Sequence, residues 1–305
     1  MSDYLTVPEA AAFLRISARK VYDLVGRGGL PHRRAGARLL FERLALAEWV
    51  RAGGDGWPLA APPIVLAGSH DALMDWAVRA SQSPMATLAR GSRDGLERVL
   101  KREACAALLH LPGRSPERFN IDAVEISLAG HDVALVNWCW RQQGLIVAAG
   151  NPRRIAALAD LRGAGRPGRS DRSDRPGVRL GRRIPGAGSR ESFDRLLAAA
   201  IGTAAAARLD PAVDDLASEN DAALAVRHGQ VDAVFGAESA ARSFGLGFVP
   251  ILRERVDLLV NRRSYFEPPL QALLAFCRTP AFAEQARLLG GYDLSDHGRA
   301  VWNAG

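Results

Sequence analysis

Three cysteines in 305 residues, Cys105, Cys139 and Cys277, stand far apart and odd in number. They make no CxxC pair and no metal-ligand spacing, which excludes a disulfide scaffold and a zinc module. A reduced, cytoplasmic chain is the expectation. No apolar run approaches the roughly 20 residues of a membrane helix, so no membrane partner is expected. The opening MSDYLTVPEA has no basic stretch followed by an apolar core, so no export leader is expected either. Catalytic signatures are missing too. No Gly-rich loop ends in GK[ST], which removes a nucleotide P-loop. No G-x-S-x-G marks a hydrolase elbow. Ser69-His70-Asp71 has the residue types of a triad, but three adjacent side chains at one strand end do not form a relay. His70, His110, His131 and His228 show no ligand spacing, and His110 in LLHLP reads as a core or rim histidine. The expectation is no catalytic residue, no metal and no cofactor.

What is present is charge, unevenly placed. The net charge is +7. Between residues 162 and 190, nine arginines face two aspartates, which equals the whole excess. Residues 1–58, with nine basic and six acidic residues, are only mildly basic. High charge alone is therefore weak evidence for a nucleic-acid partner. The stretch 163–178, GAGRPGRSDRSDRPGV, has no helical or strand period and reads as a disordered insertion.

The first fifty residues have a clearer grammar. Thr6-Val7-Pro8-Glu9 has the form of a capping box, opening a helix that buries Ala11, Phe13 and Leu14. Ser17 caps a second helix with Val21, Leu24 and Val25 inside, ended by Gly28-Gly29. LPHRRAGARLLF reads as a hairpin about Ala35-Gly36-Ala37. ERLALAEWV reads as a third helix burying Leu44, Leu46, Ala47 and Trp49 or Val50. Helix, tight turn, helix, hairpin, helix is the order of a winged helix-turn-helix. Its second helix would enter a DNA major groove by its first turn. Ser17, Arg19, Lys20 and Tyr22 lie on that leading face, and Arg33, Arg34 and Arg38 on the hairpin would meet phosphates. LTVPEAAAFL, I-S-x-x-x-V-Y, G-x-L-P and F-x-R-x-x-L-x-x-W together resemble the excisionase-type, MerR-related helix-turn-helix domain over nearly all of residues 4–51.

Residues 52–63, AGGDGWPLAAPP, read as a linker. Beyond it, strands and helices alternate in an α/β layout with mostly parallel pairing expected. Strand candidates are IVLAG, MATLAR, ACAALLHL, DVALVNWCW, LIVAAG, VRLGRR, DAVFG and the long FVPILRERVDLLVNR. Three times a strand ends in a small polar turn and a helix begins: at Gly68-Ser69, at Gly91-Ser92, and at PGAGSR, residues 185–190. Unpaired N–H groups, partial positive charge and a hydroxyl at a helix start suit an anion. Open α/β sheets place ligands at such strand ends. Ser at one helix start is ordinarily just a cap; the threefold repeat points to one small anion.

IVLAGSHDALMDW, LARGSRDGLERVL, ALLHLPG, RQQGLIVAAGNP, RRIPGAGSRESFDRLL, VDAVFGAESAARSFGLGFVPI and LLVNRRSYFEPPLQALLAFCRTPAF are similar to the type II periplasmic-binding-protein fold. More narrowly, they resemble the molybdate-binding-like domains fused behind helix-turn-helix modules in bacterial regulators. The resemblance implies a two-lobed domain over 64–305. Lobe I would be about 64–140 with 255–305, and lobe II about 141–254. By position, Ser69 and Ser92 would be lobe I oxyanion donors. Gly188, Ser189 and Arg190 would belong to lobe II. Glu238 would lie at the cleft edge, paired with Arg190 or touching a protonated ligand. The expected protein is a cytoplasmic regulator, a homodimer on double-stranded operator DNA, with molybdate or tungstate as effector. A carboxylate, a phosphate ester or a molybdenum-cofactor fragment is an open alternative as ligand. A cytoplasmic binding protein or enzyme with a borrowed DNA module is an alternative of another class.

Overall fold

The computed structural model describes residues 4–27, 29–51, 61–128, 131–162 and 177–304. Most of the linker and of the Arg-rich insertion lies outside the described residues, as does Gly28.

The N-terminal unit packs three helices, Val7–Leu14, Ala18–Gly26 and Arg43–Arg51, on a small sheet. The carboxylate of Glu9 accepts from the N–H and hydroxyl of Thr6, both at 2.7 Å, which fixes the first helix start. Ser17 Oγ accepts from Lys20 N–H at 3.2 Å and caps the second. Strand Arg33–Ala35 pairs antiparallel with Arg38–Glu42, whose other edge takes Tyr4–Leu5. Leu5, Ala10, Val21, Leu30, Phe41, Leu46 and Trp49 form the core. Two burial expectations are corrected. Phe13 is exposed, because it sits on the flank of its helix beneath the Arg43 guanidinium. In the third helix Ala45 and Glu48 are buried while Val50 is exposed, because the face turns about one residue from the sequence estimate.

The larger unit is built on one curled ten-stranded sheet. At one end Ala86–Ala89, Val65–Gly68 and Ala106–Leu109 pair in parallel. At the other end Ala233–Ala237, Leu180–Arg183 and Val213–Leu216 do the same. Two 15-residue strands, Val133–Val147 and Gly247–Asn261, join the halves and pair antiparallel along their whole length. The expected mostly parallel sheet is thus parallel only within each half. DVALVNWCW and LIVAAG are not separate strands, since Arg141-Gln142-Gln143 continues one into the other. Leu73, Met74, Trp138, Leu273 and Phe282 pack one face of the first half. Leu96, Leu109, Val124 and Leu135 pack the opposite face. Phe193, Leu197 and Phe235 on one side, and Ile146, Ala222 and Val226 on the other, enclose the second half. Each half so becomes a lobe with its own core, and the two long strands are the bridge between them. Among the described residues no helix is long and apolar enough to cross a membrane.

Candidate functional site

Strand ends and helix starts of both lobes meet where the long strands cross. Helix Ser92–Leu100 belongs to the first lobe and helix Gly188–Ile201 to the second. Their starts touch: a Cβ on Gly91 would lie 3.0 Å from Gly186 O, and Arg93 N–H reaches that oxygen at 3.4 Å. Gly188 rests on His110, where a Cβ would come within 2.5 Å of the His110 carbonyl oxygen. Only glycine permits that approach. Arg93 closes the rim with a two-point ion pair to Glu191, both contacts at 2.8 Å. Arg195 adds a bond to Gly113 O at 2.7 Å.

The serines differ in how they are used. Ser69 Oγ and Ser92 Oγ share a hydrogen bond of 2.7 Å, and Ser92 Oγ also accepts from His110 N–H at 3.1 Å. Ser92 does not cap its helix: Gly91, at φ 106°, holds that position and Ser92 is the first helical residue. Likewise Asp71 and not Ser69 caps helix Ala72–Ala80, accepting from Met74 N–H at 2.9 Å. Ser189 and Ser192 stand three apart on the inner face of their helix. Both are buried, and among the described residues neither hydroxyl has a protein partner. A buried hydroxyl without a partner is costly, and water or a ligand can satisfy it.

Beneath the serines lies a charged floor that spacing alone did not show. Arg141, 2 % exposed, donates from Nη1 to Asp71 Oδ2 at 2.9 Å. Its Nε and Nη2 donate to Glu254 Oε1 at 2.9 and 2.6 Å, where Gln143 Nε2 also donates at 2.8 Å. His110 Nδ1 lies 3.3 Å from Glu254 Oε2. Tyr292 OH donates to Asp71 at 2.9 Å. Glu219 pairs with Arg183 at 2.8 Å and accepts from Ala237 N–H at 3.0 Å. Burial by itself would raise the Glu254 pKa, but His110 and Arg141 outweigh it and bring it down to about 2. Glu219 is also held low against burial, mainly by Arg183 and Arg141. The hydrogen bond from the His70 imidazole to the Asp75 carboxylate raises the His70 pKa. Gln143 Oε1 and His70 Nδ1, both buried, have no protein partner.

The remaining sequence candidates sit elsewhere. Arg190 turns back into its own lobe, donating to Asp194 at 2.9 Å, Asp214 at 2.9 Å and Arg183 O at 2.6 Å. The expected Glu238–Arg190 pair is corrected. Glu238 accepts from Arg242, one helical turn on, at 2.7 Å. Ser69-His70-Asp71 forms no relay: Asp71 is taken by Met74, Arg141 and Tyr292, while His70 Nε2 pairs with Asp75 at 3.1 Å. On the small domain, Ser17, Arg19, Lys20, Tyr22, Arg33, Arg34 and Arg38 are all exposed. Lys20 lies 3.4 Å from Asp23.

Residues 75–278 match the model of the PBP superfamily domain. The chain belongs to the PBP superfamily. Residues 4–54 match a helix-turn-helix domain, so this PBP-superfamily chain carries a DNA-binding module in front of its ligand-binding one. A relative from Bacillus subtilis (strain 168), uncharacterized protein YvgK, is 26% identical, with 97% of each chain covered. The sulfate-binding protein SubI from Mycobacterium tuberculosis H37Rv is similar in fold, with a TM-score of 0.51 at 16% identity over 75% of this chain and 85% of SubI. A substrate-binding protein from Clostridium perfringens, solved with bound phosphate, has a TM-score of 0.50 at 11% identity over 75% of this chain and 97% of that one. At such identities the likeness concerns the fold. Together the two matched domains make this PBP-superfamily protein a DNA-binding regulator that senses a small ligand.

Proposed function

We propose that the ligand is a small oxyanion held between the starts of helices Ser92–Leu100 and Gly188–Ile201, and that its binding is reported to operator DNA by a winged helix-turn-helix. The observation that carries this is Ser189: a hydroxyl 1 % exposed, without a protein partner, in the first turn of a 14-residue helix. Helix starts favour negative charge, and this one faces a second across the closed cleft. Molybdate and tungstate are the first candidates. Sulfate and phosphate, the ligands of the two structural neighbours, complete the panel. The DNA half would act as a homodimer in the cytoplasm, since one short module buries too little surface for specific affinity. Arg19 would contact the groove or its phosphates, with Arg33, Arg34 and Arg38 on the flanking backbone.

Thermal-shift and calorimetric titration with the four anions tests the reading. An anion at ~100 times its Kd stabilises the folded state by about 2.7 kcal/mol. A flat response to all four, with DNA binding intact, would remove the oxyanion. A second reading rests on Gln143 Oε1, a buried acceptor without a partner. It favours a ligand that also donates, such as a hydroxycarboxylate or a phosphate ester. Molybdate, tungstate and sulfate bring no such donor at neutral pH, so a response confined to hydroxylated ligands would select this reading.

A further inference from the structure

The third helix of the small domain, Arg43–Arg51, turns a carboxylate toward the large one. Glu48 is 8 % exposed, and its Oε1 accepts from the backbone N–H of Asp132 at 2.9 Å. Asp132 directly precedes the first bridging strand, Val133–Val147. Its carbonyl accepts from Arg262 N–H at 3.0 Å and from Asn261 Nδ2 at 3.3 Å. Asn261 is the last residue of the second bridging strand, and its Oδ1 caps the following turn by accepting from Ser264 N–H at 3.2 Å. Both strands that cross between the lobes therefore end in the knot that Glu48 grips.

The two strands form a continuous ribbon. Val147 pairs with Gly247 in the far lobe and Val133 with Asn261 at the near end, with irregularities at Pro250/Leu252 and Val256/Asp257. Any change of lobe angle must twist or bend this ribbon, because among the described residues no other strand pair spans both halves. Its near end is fixed by hydrogen bonds to the Asp132 carbonyl, so a twist of the ribbon would reach Asp132 through that end.

We infer that Glu48 is the positioning residue that couples lobe closure to the orientation of the helix-turn-helix. This rests on the regulator reading above and names how the cleft speaks to DNA. No particular ligand is required, because the closed rim has its own fastening, Arg93 to Glu191. Removing that pair is a ligand-free way to bias the lobes.

The test is a mutant cycle on the full chain, read by hydrogen exchange of the amides in 43–51. Arg93→Ala should speed exchange there about threefold or more when Glu48 is present, and leave it nearly unchanged in Glu48→Ala. Glu48→Gln keeps an acceptor oxygen for Asp132 N–H and should restore the response. It also guards against a Glu48→Ala chain that fails to fold. Equal responses to Arg93→Ala with and without Glu48, or none in either, overturn the coupling. Anisotropy on a mixed-sequence duplex of about 30 base pairs at low salt keeps the two readings apart. If the chain binds that duplex and the cycle is additive, only the coupling falls. If it does not bind DNA at all, the regulator reading falls with it.

Discussion

The two helix starts that face each other across the cleft look alike in sequence and differ in the folded chain. At Gly91-Ser92 the hydroxyl is spent: it holds Ser69 and the His110 amide. At Gly188-Ser189 the hydroxyls of Ser189 and Ser192 are buried and idle. Satisfied polar groups build a wall; unsatisfied ones mark where something else belongs. Under the proposed reading, the first lobe supplies a preformed rim and the second lobe the open donors.

The comparison can be broken most severely from below. Arg141→Met would take from the buried Asp71 and Glu254 the guanidinium they share, at a cost of about 3–5 kcal/mol, read by urea unfolding. A loss near zero would mean the two jaws do not share this floor. Acid should erode the same floor. The Glu254 pKa is lowered to about 2 from an ordinary 4.5, so its contribution is complete above the unfolded value and is lost as pH falls toward the folded one. Stability followed from pH 5 to pH 2 should decline, and the decline should be shallower in Glu254→Gln. One such proton accounts for at most about tenfold in the folding constant per pH unit.

Ser92→Ala should cost about 1–3 kcal/mol, because the His110 amide loses its acceptor in a dry site. Ser189→Ala should cost the ligand-free chain nothing and should stabilise it by up to about 1–3 kcal/mol, since it removes an unsatisfied buried hydroxyl and no partner is lost. It should nevertheless weaken anion binding by roughly tenfold, about 1.4 kcal/mol, in calorimetry. Equal stability losses for the two serines would erase the distinction drawn between the jaws.

Local signals were legible where local physics decides. The Thr6–Glu9 box and the Ser17 cap involve neighbours within one helical turn, and each stands where the residues place it. The strands were also visible as apolar runs. The floor was not, because Arg141 meets partners 70 and 113 residues away. Arg190 was chosen for its place after a Gly-rich turn, yet an aspartate four residues on captures it more cheaply than a ligand across the cleft. One signal was available. RQQ interrupts the apolar run VALVNWCW…GLIV, and RER interrupts VPIL…VDLLV. A charged triplet in the middle of a buried strand has to find a buried partner, and these two triplets find each other: Arg141 pairs with Glu254. The interruption taken for a gap between strands is the part of the strand that passes beneath the cleft.

The bare backbone meeting of Gly91 and Gly186 sets a dimension as well as a shape. With no side chain between them, the jaws can shut until backbone meets backbone. A molecule that fits lets the rim close over it. A molecule sharing the same head group but carrying a bulky tail would enter and wedge the jaws apart. Under the proposed oxyanion reading, such a compound would occupy the site without letting the rim close.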